Sequence, residues 1–220
     1  MSLLSHFLRT FFHLLYHPFA RSYDLVSRTV SLGRWKDWVE CVVPFIEGTR
    51  VLELGHGPGH LQGILRDLNL LAVGLDESRQ MGFLAKENLF RYGYTQINLI
   101  RGLGQDLPFK DGAFDTIVAT FPTEYIFEEQ TLSEIWRALT DGGRLIVLPV
   151  AWIIGAGLPD RFASWLFRVT GQASSDLSQE ATERMLEPFR KAGFRVQTKQ
   201  LEVKSSLVLI VIAERKGINV

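Results

Sequence analysis

Val51-Leu52-Glu53-Leu54-Gly55-His56-Gly57-Pro58-Gly59-His60 joins an apolar run to an acid and then to glycines at alternate positions. The pattern reads as a β-strand running into a turn that approaches a nucleotide. Glycine tolerates positive φ and, lacking a Cβ, lets backbone N–H groups come close to a ligand. A tight strand-to-helix connection that binds nothing has the same local pattern, so the surrounding sequence decides. Leu71-Ala72-Val73-Gly74-Leu75-Asp76 is a second apolar run ending in an acid, about 20 residues past the glycines. That spacing suits a carboxylate at the tip of the next parallel strand, gripping two ribose hydroxyls. Asp76 can also cap the following helix, and the two roles are compatible.

Outward from this pair, strands are expected near residues 50–55, 71–76, 96–101, 115–120, 144–149, 194–203 and 206–213, with helical patterns between the first five. Alternating strands and helices imply a mainly parallel sheet. The last two strands follow a helix over Glu180 to Ala192 and are joined by Lys204-Ser205, a hairpin connection that makes the seventh strand antiparallel. The expected fold is therefore α/β: a doubly wound, seven-stranded, mostly parallel sheet with an antiparallel last strand.

The bulk composition agrees. With 220 residues and 46% hydrophobic content, the chain suits one domain with a sheet covered on both faces. Its 24 basic and 24 acidic residues cancel, so no global field draws it to nucleic acid. Cys41 is the only cysteine, which excludes an internal disulfide and a thiolate metal cluster and fits a reducing, cytoplasmic compartment. Its expected role is a buried apolar one in a helix around Trp38 to Val43.

Glu53, two residues before the first glycine, and the Gly-x-Gly-x-Gly order of Gly55, Gly57 and Gly59 separate this turn from a dinucleotide fingerprint. Here the sequence resembles the class I S-adenosylmethionine-dependent methyltransferases, with a Rossmann-like fold. Arg101 to Phe109 looks like that family's adenine-side loop after the third strand. Gly112 to Phe121 is similar to its fourth strand, and Glu134 to Leu148 to its helix, turn and fifth strand. Phe19 to Gly33, with Tyr23-Asp24 and Ser31-Leu32-Gly33, resembles the entry segment of the ubiquinone/menaquinone-biosynthesis methyltransferases, which covers the cofactor site.

The resemblance implies S-adenosylmethionine as cofactor. Gly55, His56 and Gly57 would hold its amino-acid end, with Glu53 bonding the ammonium or ordering the turn. Asp76 would take the ribose hydroxyls, Leu103 and Gly104 would meet the adenine, and Thr120 and Phe121 would flank the methionine and transfer region. The reaction needs alignment and exclusion of water rather than an obligatory catalytic side chain. The acceptor implied is a small apolar, aromatic or lipid-like molecule, with Tyr23, Tyr125 and Trp152 as candidate substrate contacts.

Two departures stand out. Leu103 occupies a position where such enzymes often carry an acid or amide for the adenine amino group, leaving backbone contacts, Gln105 or Asp106 to serve. Phe121-Pro122-Thr123-Glu124-Tyr125 replaces the usual residues after the fourth strand, where Glu124 either acts on a substrate hydroxyl or starts a helix against which Tyr125 packs. An NAD(P)-dependent reductase is disfavoured by the glycine order and by the lack of a Tyr-x-x-x-Lys pair. A non-catalytic methyltransferase-like scaffold is the standing alternative to an enzyme.

Residues 3–16 read as an amphipathic helix, with Leu3, Leu4, Phe7, Leu8, Phe11, Phe12, Leu14 and Leu15 on one side and Pro18 ending it. Three roles are open to it: a lid over the core, a peripheral membrane contact, or a dimer contact. With only Arg9 charged on its polar face the lid leads, and residues 1–45 read as an N-terminal helical lid before a methyltransferase domain over 46–220. No run reaches the roughly 18 apolar residues that span a bilayer. His6, His13 and His17 read as solvated rather than metal-ligating, and no metal is expected. Within the domain, 151–176 is an insertion rich in large apolar residues, including Trp152, Phe162 and Trp165, expected to roof an apolar pocket beyond the carboxyl ends of the strands.

Overall fold

Apolar strands bounded by glycines and acids assemble into a seven-stranded sheet in the computed structural model, which describes residues 33–154 and 179–217. The expected N-terminal amphipathic helix, Tyr23, and Phe162 and Trp165 of the expected insertion lie outside the described residues. The strands are β1 (Arg50–Leu54), β2 (Leu71–Asp76), β3 (Leu99–Arg101), β4 (Phe114–Thr120), β5 (Leu139–Ile153), β6 (Arg195–Val203) and β7 (Ser206–Glu214). Their order across the sheet is β3-β2-β1-β4-β5-β7-β6. β1 to β5 run parallel, whereas β7 lies between β5 and β6 and is antiparallel to both. The antiparallel last strand is thus as expected.

Numbered among the described residues, the helices are α1 (Trp35–Glu40), α2 (His60–Asp67), α3 (Arg79–Arg91), α4 (Glu129–Ala138) and α5 (Gln179–Lys191). Each turns an apolar stripe to the sheet. In α4 the stripe is Thr131, Leu132, Ile135 and Ala138, a helical period. One core contains Leu132 and Ile135 of α4, Leu186 and Phe189 of α5, and Leu145 and Val147 of β5. The other, on the opposite face, contains Trp38 and Val39 of α1, Leu61 and Leu65 of α2, and Ile146 and Leu148 of β5. Adjacent residues of β5 go to opposite cores, the signature of a strand covered on both sides.

Two strands depart from expectation by more than a residue. β5 begins five residues early, because Leu139 already pairs with Phe114 before a register shift reaches Arg144 opposite Thr116. The Asp141-Gly142-Gly143 stretch that reads as a turn is therefore an irregularity within the strand. β5 also runs on to Ile153, since β7 continues to pair with it past a second shift between Val147 and Val150. β3 is shorter than expected; as the edge strand it has one neighbour, and ahead of it Asn98 still accepts the Gly74 N–H at 2.9 Å. Cys41 departs too: it is only half-buried, just past the end of α1, with Sγ 3.2 Å from the Asp37 carbonyl.

The winding reverses between β1 and β4, which are neighbours although β2 and β3 intervene in sequence. A crevice forms outside the carboxyl ends of the strands at such a point. Leu54, Asp76, Arg101 and Thr120 end the four strands that border it.

Candidate cofactor and transfer site

Where β1 ends, the Leu75 carbonyl accepts the Gly55 N–H at 2.7 Å and the His56 N–H at 3.4 Å, which pins the start of the turn to β2. Gly55, Gly57 and Gly59 then take φ of +70°, +50° and +84°. Side chains rarely adopt this left-handed region, so the alternate glycines are a backbone requirement. Gly59 precedes α2, whose first N–H groups point back toward the turn.

Asp76 closes the cradle. Its Oδ2 accepts the Gly57 N–H at 2.9 Å and its Oδ1 accepts the Ser78 N–H at 2.8 Å. A carboxylate offers about four lone-pair sites, so acceptor capacity is left for ligand hydroxyls. The helix-capping role falls to Ser78, whose Oγ accepts the Met81 N–H at 3.3 Å.

Beneath the turn lies a polar cluster. Glu53 is 2% exposed, and its Oε2 accepts the Gln62 Nε2–H of α2 at 2.8 Å. Burial pushes the Glu53 carboxyl up to about 8, with the Asp76 charge adding to the rise and the Gln62 bond opposing it. His56 is buried beside it, with Nδ1 2.8 Å from the Gly57 carbonyl, and burial lowers its pKa. Room for both rings and amides comes from Gly74 in β2. A Cβ there would stand 3.0 Å from His56 Cδ2, 3.2 Å from Gln62 Cδ and 2.8 Å from Leu99 Cδ2.

On the β3 side, Leu103 is 50% exposed at the crevice. Its carbonyl accepts the Asp106 N–H at 3.2 Å, and Gln105 donates to Glu128 Oε2 at 2.7 Å. The rest of the loop hangs on α4. Glu134 accepts the Leu107 N–H at 2.9 Å, while Arg137 donates to the Leu107 and Phe109 carbonyls and to Asp111. The bonds from Arg137 hold the Glu134 carboxyl below its usual range.

After β4, the chain turns at Phe121, a non-glycine residue at φ +49° whose N–H donates to the Leu148 carbonyl at 2.7 Å. Its ring lies 4.4 Å from Trp35 and 6.0 Å from Trp38, centroid to centroid. Glu124 begins a short 3-10 helix, Glu124–Phe127, as the structural reading of that residue has it. Tyr125 points back into the crevice: its hydroxyl is 3.1 Å from where a Gly55 Cβ would stand, and its ring 3.2 Å from that of Gly104.

The structure therefore brings together Glu53, Gly55, His56, Gly57, Asp76, Leu103, Gly104, Thr120, Phe121 and Tyr125 at one end of the sheet. Trp152 does not join Trp35 and Phe121. It lies on the face of β5 opposite Ala151 and Ile153, which share the Trp38 core. Tyr23 lies outside the described residues. Gln62, Gly74 and Ser78 are partners that sequence reading missed. A glycine inside an apolar strand is the one signal that pointed to them.

Residues 9–192 match the model of the ubiE/COQ5 methyltransferase family. The chain belongs to that family. Relatives include the ubiquinone/menaquinone biosynthesis C-methyltransferase UbiE of Haemophilus ducreyi, 25% identical over 211 residues covering 88% of this chain and 76% of the relative. The corresponding protein of Yersinia pestis is 29% identical over 185 residues, covering 76% of this chain and 70% of the relative. Among solved structures, a putative S-adenosyl-L-methionine-dependent methyltransferase from Methanococcus maripaludis superposes with a TM-score of 0.67 at 20% identity, covering 91% of this chain and 94% of the other. A phosphoethanolamine N-methyltransferase of Haemonchus contortus, solved with phosphomonomethylethanolamine and S-adenosylhomocysteine, superposes with a TM-score of 0.57 at 16% identity, covering 84% of this chain and 54% of the other. These likenesses establish the same fold.

As a ubiE/COQ5-family member the chain is an S-adenosylmethionine-dependent methyltransferase, and the scaffold alternative is set aside. The crevice fits that cofactor: a left-handed glycine turn without Cβ atoms, an acid with lone pairs in hand at the tip of β2, and an exposed apolar side chain beyond β3. Among the described residues no group of three His, Cys, Asp or Glu is placed to hold a metal ion, and no helix is long and apolar enough to cross a membrane.

Proposed function

We propose that this enzyme methylates a small, apolar, quinone-like aromatic acceptor at carbon, in the cytoplasm. The relatives' role in ubiquinone and menaquinone biosynthesis supports the acceptor class. The observation that carries it is the aromatic pair of Trp35 and Phe121, half-buried over the core residue Trp38 at the carboxyl end of β4, beside the glycine turn. Flat aromatic faces stack a flat acceptor and exclude water from it.

When bound, S-adenosylmethionine supplies a methyl group on a sulfonium that departs as a neutral thioether. In this reading, Gly55, His56 and Gly57 hold the amino-acid end and Asp76 the ribose. Leu103 and Gly104 meet the adenine, and Thr120 and Phe121 border the methyl. Buried Glu53, bonded to Gln62, orders the turn rather than reaching the ammonium. Tyr125, held between Gly55 and Gly104, walls the cofactor side rather than the acceptor side. No side chain is assigned as a catalytic residue, because alignment and dehydration supply most of what a displacement at a sulfonium needs. The same reading takes residues 46–220 as the catalytic domain, completed by Trp38, Val39 and Val42 of its core, and assigns the covering of the cofactor to the segment before them and that of the acceptor to 151–176.

The test is methyl transfer from labelled S-adenosylmethionine to a prenylated hydroquinone, a simple catechol and phosphoethanolamine in parallel. Label on a ring carbon of the hydroquinone is the expected result. Label on oxygen or nitrogen of the other acceptors, with none on the hydroquinone, overturns the acceptor class.

A further inference from the structure

Helix α3 is apolar on two sides. Met81, Ala85 and Leu89 face inward and are buried. On the outer side Phe83 is 62% exposed and Phe90 58%, one face seven residues apart, and Tyr92 just past the helix is 76% exposed. A shallow cavity of about 560 Å³ lies between them, lined by Phe83, Lys86, Glu87, Phe90 and Arg91. Neighbouring large aromatic rings left in water on one helix face mark a contact surface rather than scattered exposure.

The charges around the rings choose the partner. Arg79 stands over the Phe83 ring at 5.3 Å, and Lys86 and Arg91 border the cavity. Glu87 is engaged by Arg91 at 2.5 Å, and Glu77 precedes the helix. Cations on the outer face of α3 thus exceed acids by three to one, counting Arg79, Lys86 and Arg91 against Glu87. A second copy meeting this face about a two-fold axis would set cation against cation. An anionic bilayer meets both features at once, taking the rings into its interface and the cations against its phosphates.

We propose that the outer face of α3 docks this protein on an anionic lipid surface. Phe83 and Phe90 enter the headgroup–acyl boundary while Arg79, Lys86 and Arg91 meet lipid phosphates. The docking face is independent of which acceptor is methylated and of the N-terminal helix.

The test uses the full chain and phosphatidylcholine vesicles with and without phosphatidylglycerol, read by co-sedimentation. Wild type is expected to bind the anionic vesicles at least about tenfold more tightly than the neutral ones. Phe83→Ser/Phe90→Ser is expected to lose about tenfold or more, and Lys86→Glu about fivefold or more, with added salt weakening wild type in parallel. Both variants should keep wild-type affinity for S-adenosylhomocysteine by calorimetry, which certifies their fold. The proposal is overturned by any of four results: no vesicle binding by wild type; equal binding by wild type and the double phenylalanine variant; loss confined to an N-terminal Phe7→Ser/Phe11→Ser variant; or lipid-free self-association of wild type that the double phenylalanine variant abolishes.

Discussion

At the residue scale, Asp76 and Glu53 are two carboxylates a few residues apart in space with opposite settings. Asp76 spends one oxygen on the turn and one on Ser78 while remaining open to a ligand. Asp76→Ala removes both anchors and the proposed ribose acceptor, and is expected to weaken S-adenosylhomocysteine binding by about a hundredfold, two charge-assisted bonds' worth, by calorimetry. Leu103 offers no acceptor to an adenine amino group. Leu103→Asn should therefore tighten the same ligand by roughly five- to tenfold, the worth of one added hydrogen bond, and unchanged affinity would remove Leu103 from the adenine contact. Glu53 makes a pH prediction. Its folded pKa, about 8, is raised above the ordinary value of 4.5. Between those values the folded state holds a proton that the unfolded state has released, so stability falls as pH rises through that window. Glu53→Gln abolishes this term. The stability of wild type relative to the variant should decline by on the order of a few kcal/mol from pH 5 to pH 8 in urea unfolding. A constant difference across the window would mean that Glu53 is ionised in the fold.

At the scale of the element, Gly74 couples a strand to the site. A Cβ there presses on His56, Gln62 and Leu99 together, so Gly74→Ala is expected to cost about 1–3 kcal/mol of stability through overpacking. It should also weaken cofactor binding, because His56 and Gln62 sit under the turn; stability lost with affinity kept would separate the two. The same strand shows what could be read ahead of the structure. β1, β2 and β4 were legible because buried parallel strands are near-continuous apolar runs, and the glycine after β1 and the acid that ends β2 mark the crevice. The full reach of β5 was not, since Gly142 and Gly143 read as a turn and only pairing with β4 and β7 keeps them in the strand. The site divides in the same way. Turn glycines and Asp76 carry a local pattern, whereas Gln62 below Glu53 and Tyr125 against Gly55 and Gly104 are meetings that tertiary packing alone creates.

For the molecule as a whole, the site draws on the ends of β1 through β4 and on both helical layers, so ligand binding and global stability are linked. S-adenosylhomocysteine at a hundred times its Kd should add about 2.7 kcal/mol, which for a chain of this size corresponds to a rise in Tm of roughly 5–10 °C. Asp76→Ala should show little of that rise at the same concentration. A matching rise in the variant would place the ligand elsewhere.

The position of β7 carries a consequence for synthesis on the ribosome. The strand made last of the seven does not join an edge; it slots between β5 and β6. Until Glu214 has left the exit tunnel, the long apolar β5 presents an unpaired border, and β6 has no neighbour at all. The nascent chain thus passes an aggregation-prone interval between the synthesis of β5 and that of β7, when a slow stretch of codons is most damaging.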